Sequence, residues 1–577
     1  MIKAKIHKHH TGIFPWALAL LPAGAVLAAF ILPYGASLFG GFHIGRLGAG
    51  PDRETILPFS LLLPITFFTV KQAVLSTLAA LVLGLPGAVL LGGSGRGTGT
   101  GILRSLSGIS FTMPSILVVL AFVLFFGNSG WVNRFFSALS GGREGPLKIL
   151  YRSEAIILAH AFYNFPLVIR LVGDGIAQAR GAYGPAAASL GSSPFKTALT
   201  VLFPVVLPSI LAASFLIFLY CFTSFAVVLV LGGGPASTTI AVEIYRYARI
   251  SLNYSAAGFL ALIETGIALT AFLAYLYFER KARIIPISIG ERYAGDRNRK
   301  KRNYSLFTRL CAVLYGVGLC FFILGPILSI PIESFLYKPS RASPPLLSLR
   351  WWLGLGERCI PALFRSLFLA FISASLSCIL AILAAAAVWS AEGVSGKKTF
   401  PASILRFCAA APLASSGIVL GLGYLILYGR DQSRSVWAAA ALHAVTSLPF
   451  AFNSISEGLK ALPAHTSASA SVFGASPLVR LLTVALPLSA SRIRSAWGFS
   501  AMISLGELNA VMMLGLENWE TLPLLIYRAA GSYRYGTACA AGTLLILCCV
   551  LMLLISDARF SLTSLPPPGK KRKNCGS

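Results

Sequence analysis

Gly191-Ser192-Ser193-Pro194-Phe195 recurs 283 residues later as Gly474-Ala475-Ser476-Pro477-Leu478, and this recurrence decides how the chain is organised. The same offset carries His160 onto His443, Pro166 onto Pro449, Pro204 onto Pro487 and Leu231-Gly232 onto Leu514-Gly515. Ile244-Tyr245-Arg246 matches Ile526-Tyr527-Arg528 at an offset of 282, and Pro114 matches Pro412 at 298. The first copy therefore holds about 15 extra residues between its third and fourth apolar stretches. Glycine and proline dictate backbone shape, so a constant register of such residues marks an internal duplication.

Outward from the repeat the chain is apolar. Hydrophobic residues make up 56% of its 577 positions and charged residues 12%, with a mean hydropathy of +0.77. Soluble domains hold about 25% charged residues, so a water-facing surface cannot be built from this composition, and disordered, collagenous and disulfide-scaffold classes are excluded too. Stretches long enough to cross a bilayer fall near 14–39, 68–92, 105–127, 154–176, 209–232 and 256–278. They recur near 308–330, 364–390, 400–428, 436–459, 489–514 and 534–556. The expected fold is an all-α polytopic membrane protein of about twelve helices in two pseudo-symmetric six-helix halves. An even number per half keeps both halves in the same orientation, so the repeat is parallel rather than inverted. The expected segments are a first transmembrane domain over 1–290, a basic cytoplasmic linker over 291–305, a second transmembrane domain over 306–560 and a basic cytoplasmic tail over 561–577. The opening run, Lys3 to His10 followed by Phe14 to Leu32, has the polarity of a signal peptide but reads as an uncleaved first helix.

The net charge is +29, and its placement points to topology. Lys3, Lys5 and Lys8, the Arg280–Arg302 stretch and Lys570 to Lys573 flank apolar runs, as basic residues do on the cytoplasmic side. Both termini are therefore expected in the cytoplasm, with the polybasic tail facing anionic lipid rather than nucleic acid. Arg134, Arg143, Lys148 and Arg152 fall on the expected outer side, so the asymmetry is a bias. The ten cysteines are scattered without a C-x-x-C pair and read as small apolar residues.

Two cytoplasmic connections carry the mechanism expected of the chain. The first runs Tyr183-Gly184-Pro185-Ala186-Ala187-Ala188-Ser189-Leu190-Gly191, and the second Ser467-Ala468-Ser469-Ala470-Ser471-Val472-Phe473-Gly474. Alanines favour a short helix, Gly191 and Gly474 end it with positive φ, and Pro194 and Pro477 suit the first position of the next helix. Pro204 and Pro487 then interrupt that helix, each thirteen residues after its glycine. The spacing predicts a helix–turn–helix with side chains small enough to let another protein approach. An amphipathic connector with no partner is the plainer alternative for a single copy; matched copies favour docking.

These loops resemble those of the permease subunits of binding-protein-dependent ABC importers, whose hallmark is Glu-Ala-Ala, three residues, then Gly. Ala186-Ala187-x-x-x-Gly191 and Ala470-x-x-x-Gly474 follow the pattern, whereas Pro185 and Ala468 stand where the Glu would be and Ser469 replaces one Ala. Leu158-Ala159-His160-Ala161-Phe162-Tyr163-Asn164-Phe165-Pro166 is similar to the fourth-helix signature of fused thiamine permeases. So are Leu231 to Ile240, Ile244-Tyr245, Thr521-Leu522-Pro523, Ile526-Tyr527 and Gly531 to Arg534. The resemblance implies a type I importer-like fold and a chain that supplies both membrane halves of an importer in the bacterial inner membrane. It implies two copies of a separate ATPase, one periplasmic or lipid-anchored binding protein, no cofactor, and thiamine or its phosphates as cargo, with ferric iron as the rival. Coupling would run through Ala186, Ala187, Gly191, Pro194, Pro204, Ala470, Gly474, Pro477 and Pro487.

The chain has no phosphate loop to split ATP. Gly396-Lys397 is followed by Lys398, and Ala391 stands where such a loop needs Gly. The Gly92–Gly101 run follows a membrane helix rather than a strand and reads as a connector. An ionisable group at membrane depth faces a polar interior or a partner, which makes Glu507, with Asn509 and Trp497, the candidate pathway group. A carboxyl hydrogen-bonded between helices is the alternative, and the stronger one for Glu264. His160 and His443 read as packing residues rather than metal ligands, and no catalytic or metal constellation emerges. An ion-driven carrier, the competing class, needs a chain of buried acidic residues that this sequence lacks.

Overall fold

The computed structural model describes residues 14–40, 59–91, 99–141, 148–234, 237–282, 306–337, 346–393, 400–433, 435–516 and 519–556. The basic N-terminal segment, Arg143, the linker 291–305, the tail 561–577 and most of the Gly92–Gly101 run lie outside the described residues. Helix dominates what is described, with a single two-residue ribbon pairing Leu336 with Leu347 and Tyr337 with Leu346.

Among the described residues ten helices are long and apolar enough to cross a membrane, and the bent pair Ala402–Ala414 and Gly417–Gly429 makes eleven if counted as one span. The difference from the expected twelve lies in the stretch 489–514. There the chain forms Ala490–Gly506, 17 residues long, breaks at Glu507, and continues as Asn509–Leu514. Arg492, Arg494, Ser495, Ser500 and Ser504 lower its hydropathy, and Ser500 and Ser504 are buried against protein rather than lipid. The expected span 209–232 is interrupted in the same register: Phe203–Phe222 stops at Thr223 and Ala226–Leu231 follows. The expected span 105–127 is also two helices, Gly99–Thr112 and Ser115–Phe126. Its second-half counterpart bends by 101° between Ala414 and Gly417. Pro114 has no N–H and pushes Met113 out of the α region, which accounts for the first of these two breaks. Each half thus carries two helices broken within the span, at positions the repeat makes equivalent.

The first helix of each half packs on the other half. Leu27–Ile31, Leu32–Gly35 and Ala36–Gly40 continue the first helix through two π-helical turns. Pro33 leaves the Ala29 carbonyl without its helical partner, and Tyr424 of the second half donates to it at 2.9 Å. Tyr428 donates to the Ala28 carbonyl at 3.2 Å. Neighbouring helices commonly satisfy carbonyls freed by proline in this way. In the opposite direction Leu306–Ser334, the first helix of the second half, lies on the first half. Leu319 and Ile323 share a buried cluster with Leu91, Phe165 and Ile169. Tyr315 donates to the Leu83 carbonyl at 2.8 Å, and Glu333 accepts from the Trp131 indole at 2.8 Å and from Arg134 at 2.9 Å. The two sequence halves are therefore laced together along a shared seam.

Candidate functional site

Both expected loops are built from the same two capping devices. In the first half the residues around Ala186 are not a separate short helix, as the sequence suggested. They are the last turn of Ser153–Ser189, 37 residues long, which runs through Pro166 and Pro185 without a break. In the second half Val436–Lys460 ends earlier and a distinct helix, Ala464–Val472, supplies the turn. Pro463, before the first turn, explains the difference, because proline ends one helix and starts another readily. From there the copies coincide. Gly191 and Gly474 have φ of +73° and +79°. Ser192 N–H donates to the Ala187 carbonyl at 3.0 Å and Gly191 N–H to Ala188 at 3.0 Å. Ala475 donates to Ala470 and Gly474 to Ser471, each at 3.1 Å. This double bond pattern closes a helix only when the penultimate residue is left-handed.

Ser193 and Ser476 then open the next helix, their hydroxyls each accepting a backbone N–H at 3.3 Å, from Lys196 and Val479. Pro194 and Pro477 hold the first position, as expected. Pro204 and Pro487 are each preceded by a π-helical turn, Ala198–Leu202 and Leu481–Ala485. Past Pro204 the helix continues to Phe222, whereas past Pro487 it stops at Leu488, turns at Ser489 and resumes at Ala490, so the expected interruption is present in the second copy alone.

Two apolar residues that the sequence reading missed crown these corners. Leu190 is 87% exposed and Phe473 89%. They are equivalent in the repeat, each standing just before the left-handed glycine, and that coincidence was legible. Phe195 and Val472, 79% and 85% exposed, extend the same surfaces. Ala186 is exposed while Ala187 is buried beneath it.

A second feature lies on the seam. A cavity of about 270 Å³ opens between the halves where the helix breaks meet. Its walls take Phe111, Tyr163 and Tyr220 from the first half and Phe450 and Phe499 from the second. Phe111 stands 5.8 Å from the Tyr163 ring and 6.1 Å from Tyr220, and Phe450 stands 5.3 Å from Phe499. Glu507 and Asn509 line it too, as does Ser224, the repeat equivalent of Glu507. Glu507 Oε1 accepts the N–H groups of Asn509 at 3.0 Å and Ala510 at 3.3 Å, which fixes the carboxylate at the break.

Trp497 does not join them. Its indole donates to Ser375 at 3.1 Å and its ring meets Phe371, on the helix Gly356–Gly393. Ten residues of helix separate it from Glu507, about 15 Å along the axis and most of a quarter-turn off its face. Glu264 lies outside the cavity, buried with its carboxyl beside the Ser416 hydroxyl and next to the Tyr34–Thr265 hydrogen bond. His160 and His443 are both buried and meet Ser76 and Ser504 through Nδ1, at 3.3 and 2.8 Å. Only His160 lines the cavity. Among the described residues no group of three or more His, Cys, Asp or Glu could hold a metal ion.

Gly506 sets how closely the two breaks approach. A Cβ there would lie 2.9–3.1 Å from three atoms of Pro114. Overpacking of this kind costs about 1–3 kcal/mol, so Gly506→Val is expected to force the breaks apart, lower thermal stability in detergent and abolish transport. A variant with wild-type transport would show that this contact is not needed.

Comparison with known proteins agrees with this architecture. Residues 84–284 match the family described as binding-protein-dependent transport system inner membrane component. The thiamine transport system permease protein ThiP of Brucella suis biovar 1 is 27% identical over 549 residues, covering 94% of this chain and 93% of the relative. ThiP of Escherichia coli K12 is 27% identical over 464 residues, covering 79% and 81%. ThiP of Haemophilus influenzae is 25% identical over 567 residues, covering 96% and 98%. The first half thus carries the region similar to inner-membrane components of binding-protein-dependent transport systems, and the similarity to the thiamine permease relatives runs through both halves.

Proposed function

We propose that this chain forms the whole transmembrane pathway of an ATP-driven importer for thiamine or its phosphates. The observation that carries the reading is the pair of matching corners, Ala187 to Pro194 and Ala470 to Pro477, each crowned by an exposed apolar residue. Rigid, duplicated and apolar at the tip, they suit docking into two copies of one partner. Two ATPase subunits would seat there, and their closure on ATP would move the long helices that enter and leave each corner. Because the first helices are exchanged, a push on one half is transmitted to the other, and the seam opens to alternate sides by rocking. A single binding protein would deliver cargo on the opposite face. Both termini would lie in the cytoplasm, with lipid around the apolar helices.

The thiamine assignment rests on the similarity to thiamine transport system permease proteins over most of their length. Reconstitution tests it. The permease, its cognate ATPase and the binding protein are placed in vesicles, and labelled thiamine and ferric iron are supplied in turn. ATP-dependent accumulation of thiamine is the expected result. Accumulation of iron alone, or uptake driven by an ion gradient without the ATPase, would overturn the assignment.

A further inference from the structure

We infer that the cavity on the seam is a cation-selecting station, with Glu507 as the residue that recognises positive charge on an aromatic cargo. The inference rests on the importer reading above and specifies the chemistry of its passage. Its first support is charge. The cavity lining holds one carboxylate and no lysine or arginine. Glu507 has no ion-pair partner among the described salt bridges, and Oε1 accepts only backbone N–H groups. Its carboxyl is thus held in place by the fold with no basic side chain against it, so a cation entering the cavity would supply the counter-charge that favours the ionised form.

The second support is the wall. Aromatic rings from both halves line the same cavity as the carboxylate. Ring faces attract cations, more so when water is excluded. A carboxylate beside such a wall favours a flat cationic ring over a neutral one or a hydrated inorganic ion. Volume agrees: about 270 Å³ lies near the lower bound for small-ligand pockets.

The third support is a set of hydrogen-bonding atoms without partners within the protein. Asn164, 1% exposed, gives its amide N–H to the His160 carbonyl at 2.9 Å and leaves Oδ1 unpaired. His160 Nε2 and Asn509 Oδ1 are unpaired as well, and all three residues line this cavity. Buried polar atoms are rarely left so. Two carbonyl acceptors and a carboxylate suit a ligand that carries amino donors next to its cationic ring. Ser224 stands where the repeat would place a second carboxylate, so the station is one-sided: a single charge binds the cargo without trapping it.

The experiment uses the purified permease–ATPase complex in lipid nanodiscs, with binding of thiamine compared with a neutral isostere whose thiazolium is replaced by an uncharged ring. A simple N-alkylpyridinium and its neutral benzene analogue form a second pair. Wild type is expected to prefer the cation of each pair by about tenfold or more, as for a desolvated charge pair. In Glu507→Gln, which keeps the oxygen that accepts from Asn509 and Ala510, that ratio falls to near one while neutral-ligand binding is unchanged. Loss of both ligands in parallel, a preference that survives in Glu507→Gln, or no cation binding at millimolar concentration would each overturn the station. If the reconstituted importer does not take up thiamine but the pyridinium preference depends on Glu507, the station stands and the thiamine assignment falls. If thiamine is taken up and the preference is independent of Glu507, the reverse holds.

Discussion

Placing valine at Gly191 and Gly474 together is expected to abolish substrate uptake while ATP hydrolysis by the partner continues. Both glycines hold φ between +70° and +80°, and a Cβ at either would meet nothing within 4 Å. The penalty is therefore backbone strain rather than a clash. A β-branched residue in the left-handed region costs about 1–3 kcal/mol. Each corner can relieve that strain by leaving the conformation, since solvent rather than packing surrounds it. It then loses the paired bonds to Ala187 and Ala188, or to Ala470 and Ser471, and the following serine cap swings away. Leu190 and Phe473 lose their fixed direction, and force from a docked partner is no longer transmitted. Membrane insertion depends on the spans and should be unchanged. Asparagine, which tolerates positive φ, should restore most of the uptake at both sites. Uptake at wild-type level in the double valine variant would remove the corners from the mechanism.

The second large effect is expected at Gly423. There the helix Gly417–Ser433 crosses the first helix so closely that a Cβ would collide with the Pro33 carbonyl. The neighbour is backbone and cannot rotate away, so Gly423→Val must separate the helices. Separation breaks the Tyr424 bond to Ala29 and the Tyr428 bond to Ala28, leaving two carbonyls unpaired at membrane depth. An unsatisfied buried group costs about 1–3 kcal/mol, in addition to the lost packing. The variant should lose several degrees of thermal midpoint in detergent and aggregate on extraction. Tyr424→Phe, which removes only one hydrogen bond, should lose much less. Equal midpoints for Gly423→Val and wild type would show that the exchanged helix does not hold the halves together.

The corners were legible because glycine and proline act on the backbone locally. Gly191 and Gly474 are left-handed, and Pro194 and Pro477 stand at first helical positions, as their spacing predicted. Pro114 marks its own helix break, but the breaks at Thr223-Ser224-Phe225 and Glu507-Leu508 were not legible. Neither stretch contains proline or glycine, and hydropathy runs through the first of them without a dip. Both breaks line the cavity where the two halves meet, a setting made by residues hundreds of positions apart. The exchange of first helices is hidden for the same reason, because Pro33 reads as a local irregularity until Tyr424 is seen to satisfy the carbonyl it frees. Glu507 and Asn509 were singled out because a carboxylate inside a span needs a polar setting, and both line the cavity. Trp497 was assigned wrongly because nearness in sequence was taken for nearness on a helix face. Leu190 and Phe473 were passed over because single exposed apolar residues are common; their equivalence in the repeat was the usable signal.

The central claim is that both corners face one compartment and receive the same partner. In a cysteine-depleted background, since the chain has ten cysteines, single cysteines replace Ser192 and Ala475, the residues after each left-handed glycine. A membrane-impermeant thiol reagent is then applied to right-side-out and inverted vesicles, with and without the ATPase. Both positions should react only from the cytoplasmic face, and both should be shielded when the ATPase binds. Labelling of the two positions from opposite faces, or labelling that the ATPase does not affect, would contradict the account.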